Sequence, residues 1–376
     1  MTKIQFVMEQ HVGMQTFYKN MRQVVDKHEQ ISAEWIEIAY TKSLAITKNL
    51  NRSVNHLLGT GFGMLQARRG LIHRDADAIF FNTQVPALLA GRILKHTPYV
   101  LSTDITPIQY DAWSDEYDHR IGYPPFIERY KYSRNRICFQ NAQKVIAWSS
   151  WTAGSLINDY HVNPAKVEVI PPGVDLDMWQ PRVGQQEADK FNILFVGSDF
   201  KRKGGDLLVK AFRKLPSERF HLHLVTKAKV AEEKGISVYR QMRPNSAELL
   251  DLYQRAHVYV HPARAEAYGI SAVEAVAVGL PVIVTRVGGL QSVVDDHISG
   301  YLLDEANPEL IAQRIRDVVA DDEHRQAMAF AARLRAEQFF DSEKNTQRVL
   351  TLIQAAAEGR TMPNALRVRQ GQRVLV

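Results

Sequence analysis

The sequence predicts an α/β protein of two separate domains, each a largely parallel sheet wound with helices. Three observations predict it. The chain has 376 residues, more than one ordinary core takes in at about 100–200 residues per domain. Short β-rich runs alternate with helical periodicity along its whole length, the pattern of βαβ units. From Pro171-Pro172-Gly173 to about Lys190 that pattern breaks in a polar stretch carrying Pro181 and Gly184, the composition of a linker.

In the first half the expected strands are Ile4–Met8, Trp35–Ala39, Ala78–Phe81, Tyr99–Ser102, Lys144–Ala147 and Val167–Ile170. Helical patterns over Met14–Val25, Val85–Leu94 and Pro125–Asn141 lie between them. The second half repeats the plan with Ile193–Val196, His221–Val225, Ser237–Tyr239, Val258–Val260, Val282–Thr285 and Tyr301–Leu303. Asn245 with Glu248 reads as a capping box, and Asn307-Pro308 as an N-cap followed by proline in the first turn. Asp321–Phe339 and Ser342–Glu358 read as the last helices, before a polar end with Arg367, Arg369 and Arg373. The expected division is a Rossmann-like domain over 1–172, a linker over 173–190 and a second Rossmann-like domain over 191–340. A C-terminal helix and tail over 341–376 follow, for which a return to the first domain is open.

Composition narrows the functional classes. The chain is 45% hydrophobic and 23% charged, and no run approaches the roughly 18 apolar residues of a spanning helix. Glu9 and Gln10 interrupt the N-terminal apolar run too early for a secretory core. The one cysteine, Cys138, excludes an internal disulfide and a multi-thiolate zinc site, and fits a reducing cytoplasm. Residues 1–172 carry 19 basic against 15 acidic side chains, and the remainder 28 against 26. This mild, evenly split excess suits anionic ligands or an anionic lipid surface and supplies no basic face for nucleic acid.

Two segments carry chemistry. The run Ala263-Arg264-Ala265-Glu266-Ala267-Tyr268-Gly269-Ile270-Ser271-Ala272-Val273-Glu274 follows a strand and enters an apolar helix. A helix start at Gly269 offers unpaired N–H groups and about half a positive charge, a place for a phosphate oxygen. Glu266 and Glu274 beside it would accept from sugar and ribose hydroxyls. Taken alone, a loop glutamate and a helix glutamate account for the same residues. The second run, Ile193-Leu194-Phe195-Val196-Gly197-Ser198-Asp199-Phe200-Lys201-Arg202-Lys203-Gly204-Gly205, is a buried strand and then a cationic loop opening a helix. In doubly wound folds ligands bind at the carboxyl edge of the sheet. Arg202 and Lys203 are placed there to neutralise a diphosphate, Arg by bidentate contact; a solvated loop is the other account.

With these motifs the chain resembles the family 4 retaining glycosyltransferases of the GT-B fold. The resemblance is carried by Glu266-x7-Glu274, by Val196-Gly197…Arg202-Lys203-Gly204, by the run from Val282 to Gly288-Gly289, and by Val169-Ile170-Pro171-Pro172-Gly173-Val174-Asp175. It implies two Rossmann-like domains with parallel sheets facing across a cleft, and a nucleotide-sugar donor held by the second. It implies that Glu274 holds the ribose, that Glu266 lies near the transferred sugar, that Arg202 and Lys203 bind the diphosphate, and that the amides of Gly269, Ile270 and Ser271 touch the donor. Glu266, Lys203 and Asp104 are then the catalytic candidates. No cofactor and no metal ion is called for, and the acceptor is a glycan, a lipid-linked glycan or a small-molecule hydroxyl.

The chain departs from the family at three places. Ser198 stands where arginine is common, so Arg202 has to supply the guanidinium, and Gln291-Ser292 replaces a frequent Pro-Glu. After the fourth strand, where many members have a histidine, Asp104 is the nearest polar candidate; a turn cap with Thr106-Pro107 is its other account. Gly13 follows the first strand where the family has a glycine loop, and a plain strand-to-helix turn explains it equally. These departures keep a non-catalytic scaffold with the same fold as the alternative. Acceptor contacts are expected around Gly13, Leu58–Leu65 and Asp104–Tyr123.

Arg129-Tyr130-Lys131-Tyr132-Ser133-Arg134-Asn135-Arg136, and Arg68-Arg69 with Arg74, suit an anionic membrane surface or a solvated helix face. His221 and His223 are expected to alternate with core Leu222 and Leu224, and Cys138 to be a packing residue. A dinucleotide-dependent dehydrogenase is excluded because neither Val7–Gly13 nor Val196–Gly205 carries G-x-G-x-x-G.

Overall fold

In the computed structural model the described residues are 1–10, 12–38, 52–71, 75–91, 93–118, 123–182, 189–231 and 233–359. Two six-stranded parallel sheets organise them. The first contains β1 (Thr2–Glu9), β2 (Ile31–Ile38), β3 (Ala78–Phe81), β4 (Tyr99–Thr103), β5 (Lys144–Ala147) and β6 (Val167–Val169), in the order β2-β1-β3-β4-β5-β6. The second contains β7 (Phe191–Val196), β8 (Phe220–Val225), β9 (Ile236–Tyr239), β10 (Val258–His261), β11 (Val282–Thr285) and β12 (Gly300–Leu303), in the order β12-β11-β10-β7-β8-β9. Both sheets are buried on both faces, which is why their strands read as short apolar runs. In β1, Ile4, Phe6 and Met8 enter one core while Val7 enters the core on the opposite face. In β10, Tyr259 likewise parts from Val258 and Val260. His221 and His223 are half-buried, between buried Leu222 and Leu224.

Eleven α-helices are seen among the described residues, joined to the strands in βαβ sequence. The first domain holds α1 (Val12–Val25), α2 (Arg52–Leu71), α3 (Pro107–Ala112), α4 (Pro125–Asn141) and α5 (Ser150–Asn158). The second holds α6 (Gly205–Phe212), α7 (Ala247–Arg255), α8 (Ile270–Ala277), α9 (Pro308–Ala320) and α10 (Asp322–Phe339). The last, α11 (Ser342–Ala357), lies against α1 and against β3 and β4 of the first sheet. The chain therefore crosses between the sheets twice, and the two crossings run side by side. Val174 N donates to Phe340 O (2.9 Å), Ser342 N donates to Val174 O (3.1 Å), and Asn345 Nδ2 donates to Pro171 O (3.0 Å).

Local chemistry explains where the structure departs from the sequence expectation. Val85–Leu94 is no α-helix but two short 3-10 segments, Val85–Leu89 and Ile93–Lys95, with Pro86 in the first turn and Gly91 between them. The cap of α7 is Ser246, whose Oγ accepts from Leu249 N (3.2 Å), and Asn245 sits in the left-handed region at φ 60°. Glu248 is then one position short of completing a capping box. Asn307 does cap α9, with proline following. The second strand starts at Ile31, earlier than expected, because it pairs with β1 over its whole length, from Thr2–Ile31 to Glu9–Ile38. Leu58–Leu65 lies within α2 rather than in a loop. The polar linker holds a buried anchor: Trp179 is 1% exposed and packs edge-on against Tyr253 at 5.2 Å. Its residues 183–188, Ala39, Arg74, Arg367, Arg369 and Arg373 lie outside the described residues.

Candidate active site

The order of the second sheet reverses at β7, which has β8 on one side and β10 on the other. In such sheets a crevice opens past the carboxyl ends of the two strands at the switch point. The two motif segments are the loops that leave β7 and β10, so the topology brings them together. A side chain at Gly197 would come within 2.7 Å of Lys203 Cδ and 2.9 Å of the Phe195 ring. Its absence lets the Lys203 stem lie across the strand end. The loop then turns on Asp199, whose carbonyl accepts from Lys203 N (3.0 Å) and whose carboxylate accepts from Arg202 N (3.3 Å). Arg264 N donates to Arg202 O (2.8 Å), tying the second loop to the first. Arg264 also forks onto the two Asp206 oxygens at 2.8 Å each.

Glu266 is the centre of the cluster. Lys203 Nζ donates to its Oε2 at 2.6 Å, Arg202 Nη1 lies 3.5 Å from the same oxygen, and His261 Nε2 also lies 3.5 Å from it. All four side chains are nearly buried. Burial alone would raise the Glu266 carboxyl, but Lys203, Arg202 and His261 hold it down at about 2. Arg202 further donates to Ala265 O (2.7 Å) and to Asp199 Oδ2 (3.0 Å). Ser198, where the family commonly has arginine, is exposed.

Gly269 turns the second loop into α8 with φ 94°, where a β-carbon would be strained and would also meet Leu290 Cδ1 at 2.6 Å. The next two residues, Ile270 and Ser271, are half-buried at the helix start, where N–H groups have no intrahelical acceptor. Glu274 lies one turn further in and is 5% exposed. The Tyr253 hydroxyl donates to its Oε2 (2.8 Å), and burial pushes the carboxyl up to about 7 despite Tyr253 and Lys203. Glu274 is thus held by the Tyr253 hydroxyl.

The first domain reaches across. The Tyr117 ring lies 4.6 Å from the Arg202 guanidinium, and Arg202 Nη1 donates to the Tyr117 hydroxyl at 3.4 Å. Trp148 meets Tyr268 edge-on at 5.6 Å. Asp104 is half-buried at the end of β4, and its carbonyl accepts from Thr152 Oγ1 (2.6 Å). The cap of α3 is Thr106, not Asp104. Burial raises the Asp104 carboxyl to about 7, with the charges of Glu9 and Glu266 adding to the rise. Asp104 therefore feels Glu266 across the cleft. Gly13, in the first turn of α1, is exposed with nothing within 4 Å of a β-carbon, so the turn does not itself demand glycine.

Three residues of this site, Tyr117, Tyr253 and His261, are not among the side chains singled out from the sequence. Tyr117 and Tyr253 belong to ordinary aromatic-containing stretches. His261 did leave a mark, as the single polar residue closing an apolar strand at the sheet's carboxyl edge. Among the described residues, no group of three or more His, Cys, Asp or Glu is placed to hold a metal ion. No helix among them is long and apolar enough to cross a membrane.

Comparison with known proteins decides the family. The model described as "Glycosyltransferase Family 4" matches residues 38–178, and "Glycosyl transferases group 1" matches 180–335. The chain belongs to glycosyltransferase family 4. It is 32% identical over 246 residues to D-inositol 3-phosphate glycosyltransferase 1 of Catenulispora acidiphila, covering 58% of each chain. It is 32% identical over 218 residues to the D-inositol 3-phosphate glycosyltransferase of Thermobifida fusca, covering 50% of each. The chain thus spans little more than half the length of these curated relatives. The fold matches sucrose-phosphate synthase from Thermosynechococcus elongatus with a TM-score of 0.76, at 17% identity over 96% of this chain and 100% of that one. It matches Anabaena HepE in complex with UDP-glucose with a TM-score of 0.65, at 17% identity over 94% and 100%. These likenesses establish the GT-B fold for this family 4 chain.

Proposed function

We propose that this protein transfers a sugar from a nucleoside-diphosphate sugar to an acceptor hydroxyl, retaining the anomeric configuration and using no metal ion. The observation that carries the proposal is the buried Lys203–Glu266–Arg202 cluster beside the start of α8. The complexes of HepE named for UDP and UDP-glucose support a uridine donor. Cleaving the sugar–phosphate bond leaves positive charge on the anomeric carbon and negative charge on the diphosphate. Arg202, Lys203 and the amides of Ile270 and Ser271 stabilise the second charge by preorganised electrostatics, so no divalent ion is needed there. The carboxylate of Glu266 faces the first charge and positions the sugar. The acceptor oxygen attacks from the face the phosphate leaves, and the acceptor proton passes to a phosphate oxygen. Glu274 takes the ribose hydroxyls, and Asp104 approaches from the acceptor side. A scaffold role is not favoured, because recognition alone gives no use to a desolvated carboxylate held between two cations.

The acceptor class draws support from two sides. The names of the relatives make a phosphorylated polyol one acceptor to test. The exposed stripe on α4 favours a lipid-linked one. Phe126, Tyr130 and Ile137 are 65%, 65% and 46% exposed, four and seven residues apart on one helix face. Arg129 beside them is exposed, and Arg134 and Arg136 are half-buried. Aromatic rings flanked by arginine suit an anionic lipid surface, so sedimentation with phosphatidylglycerol vesicles should exceed that with phosphatidylcholine and fall in Phe126→Ser. Equal sedimentation with both would remove the lipid-linked reading.

Thermal-shift measurement against UDP-, GDP- and ADP-sugars, followed by donor hydrolysis with and without EDTA, tests the whole. One donor should stabilise the protein and be slowly hydrolysed at the same rate in EDTA. If no donor is bound or cleaved, the assignment is wrong.

A further inference from the structure

His261 is fully buried, and its Nε2 has no hydrogen-bond partner. A buried polar atom left unpaired is costly and rare enough in native folds to require a reason. Its surroundings are specific. Nδ1 lies 3.4 Å from the Tyr259 hydroxyl, which is itself 2.8 Å from Ser271 Oγ at the start of α8. Nε2 lies 3.5 Å from Glu266 Oε2 with no hydrogen bond between them, while Lys203 occupies that oxygen at 2.6 Å. Burial and Lys203 hold the imidazole neutral, with its titration lowered to about 3, so the ring carries one N–H. A lone pair facing a carboxylate would be repelled, and the proton therefore sits on Nε2; the Tyr259 hydroxyl, which donates to Ser271 Oγ, lies beside Nδ1.

The proposed function places Lys203 on the donor diphosphate. Once Lys203 turns to the phosphate, Glu266 loses its shortest partner while remaining buried, and Arg202 is drawn the same way. We propose that His261 is a positioning residue for Glu266: its Nε2–H takes over the carboxylate when the donor engages Lys203. The histidine that is idle in the free protein then fixes the carboxylate's direction against the sugar, and the Ser271–Tyr259–His261 line fixes the ring. This rests on the reading of Glu266 as the residue facing the transferred sugar.

The test compares wild type, His261→Leu and His261→Gln in the full chain with the donor found by thermal shift. Glutamine offers an N–H near the place of Nε2, and leucine offers none. His261→Leu should lower kcat of donor hydrolysis by about ten- to a hundredfold, the range for a hydrogen bond to a charged group, with donor KM within about threefold. His261→Gln should recover most of that loss. Wild-type kcat in His261→Leu, or equal impairment in both variants, overturns the proposal. Nitrogen-15 spectra of the imidazole supply a second readout that needs neither turnover nor a folded leucine variant. They should show the Nε2–H tautomer, shifted on Glu266→Gln; an Nδ1–H tautomer, or no shift, overturns the proposal. If no nucleotide sugar binds, the functional reading has failed, and the spectra still decide whether His261 engages Glu266.

Discussion

Replacing Lys203 by alanine removes the shortest contact to a carboxylate that is buried and ionised. Glu266 is 8% exposed, and its carboxyl stands at about 2 rather than the ordinary 4.5. At about 1.4 kcal/mol per pKa unit, that difference corresponds to about 3 kcal/mol of native stability at neutral pH. Arg202 stays at 3.5 Å and keeps part of it, so Lys203→Ala should cost about 2–3 kcal/mol, near the low end for a broken buried pair. The sign with pH follows from the lowered carboxyl. Its contribution is present above pH 4.5 and disappears as the pH falls towards 2. The gap in urea midpoint between wild type and variant, followed by circular dichroism, should therefore be widest at pH 7 and narrow by pH 3.5. Lys203→Met with Glu266→Gln removes both charges and should recover most of the loss. A variant midpoint equal to wild type at pH 7, or a gap unchanged between pH 7 and 3.5, would refute the account of the cluster.

Glu274 behaves in the opposite sense: its carboxyl is raised to about 7, so it destabilises the fold as the pH rises from 4.5 through 7. Glu274→Gln should gain up to about 3 kcal/mol at pH 8, with no gain at pH 4.5, while donor affinity falls; paired urea titrations and donor-binding isotherms check both. Gly269→Ala puts a β-carbon at φ 94° and against Leu290; a loss of at least about 1 kcal/mol and weaker donor binding should appear in thermal-shift curves, and an unchanged midpoint would contradict the helix-start geometry. Trp179→Ala empties a fully buried site in the linker and should cost about 3–5 kcal/mol; a surface-like effect below about 0.5 kcal/mol in urea melts would mean the linker is not anchored there.

Much of the fold was legible because the strands at the heart of each sheet, such as β3, β4, β10 and β11, are short runs buried along their whole length, and such runs stand out against polar loops. Val282–Thr285 and Ala78–Phe81 could hardly be anything else. The boundaries that slipped were those set by pairing or by side-chain choice. β2 begins at Ile31 because β1 offers it partners, and α7 starts from Ser246 because Asn245 is in the left-handed region. Trp179 was illegible because one aromatic in a polar stretch has no periodicity, and its burial depends on Tyr253 from a distant helix. In the site, Glu266, Arg202 and Lys203 could be named together because topology places consecutive motif loops on neighbouring strands. Tyr117 could not, since its role arises only where the other domain arrives. The partner of Glu274 was likewise hidden, since the Tyr253 hydroxyl comes from another helix.

The paired crossings between the sheets limit how the cleft can work. One covalent connection would leave the domains free to swivel as well as to bend. Two adjacent connections, bonded to each other through Val174, Phe340 and Ser342, oppose swivelling more than one would. A change in cleft width about them would keep Tyr117 opposite Arg202, so that closure would restore the same pairing rather than search for it.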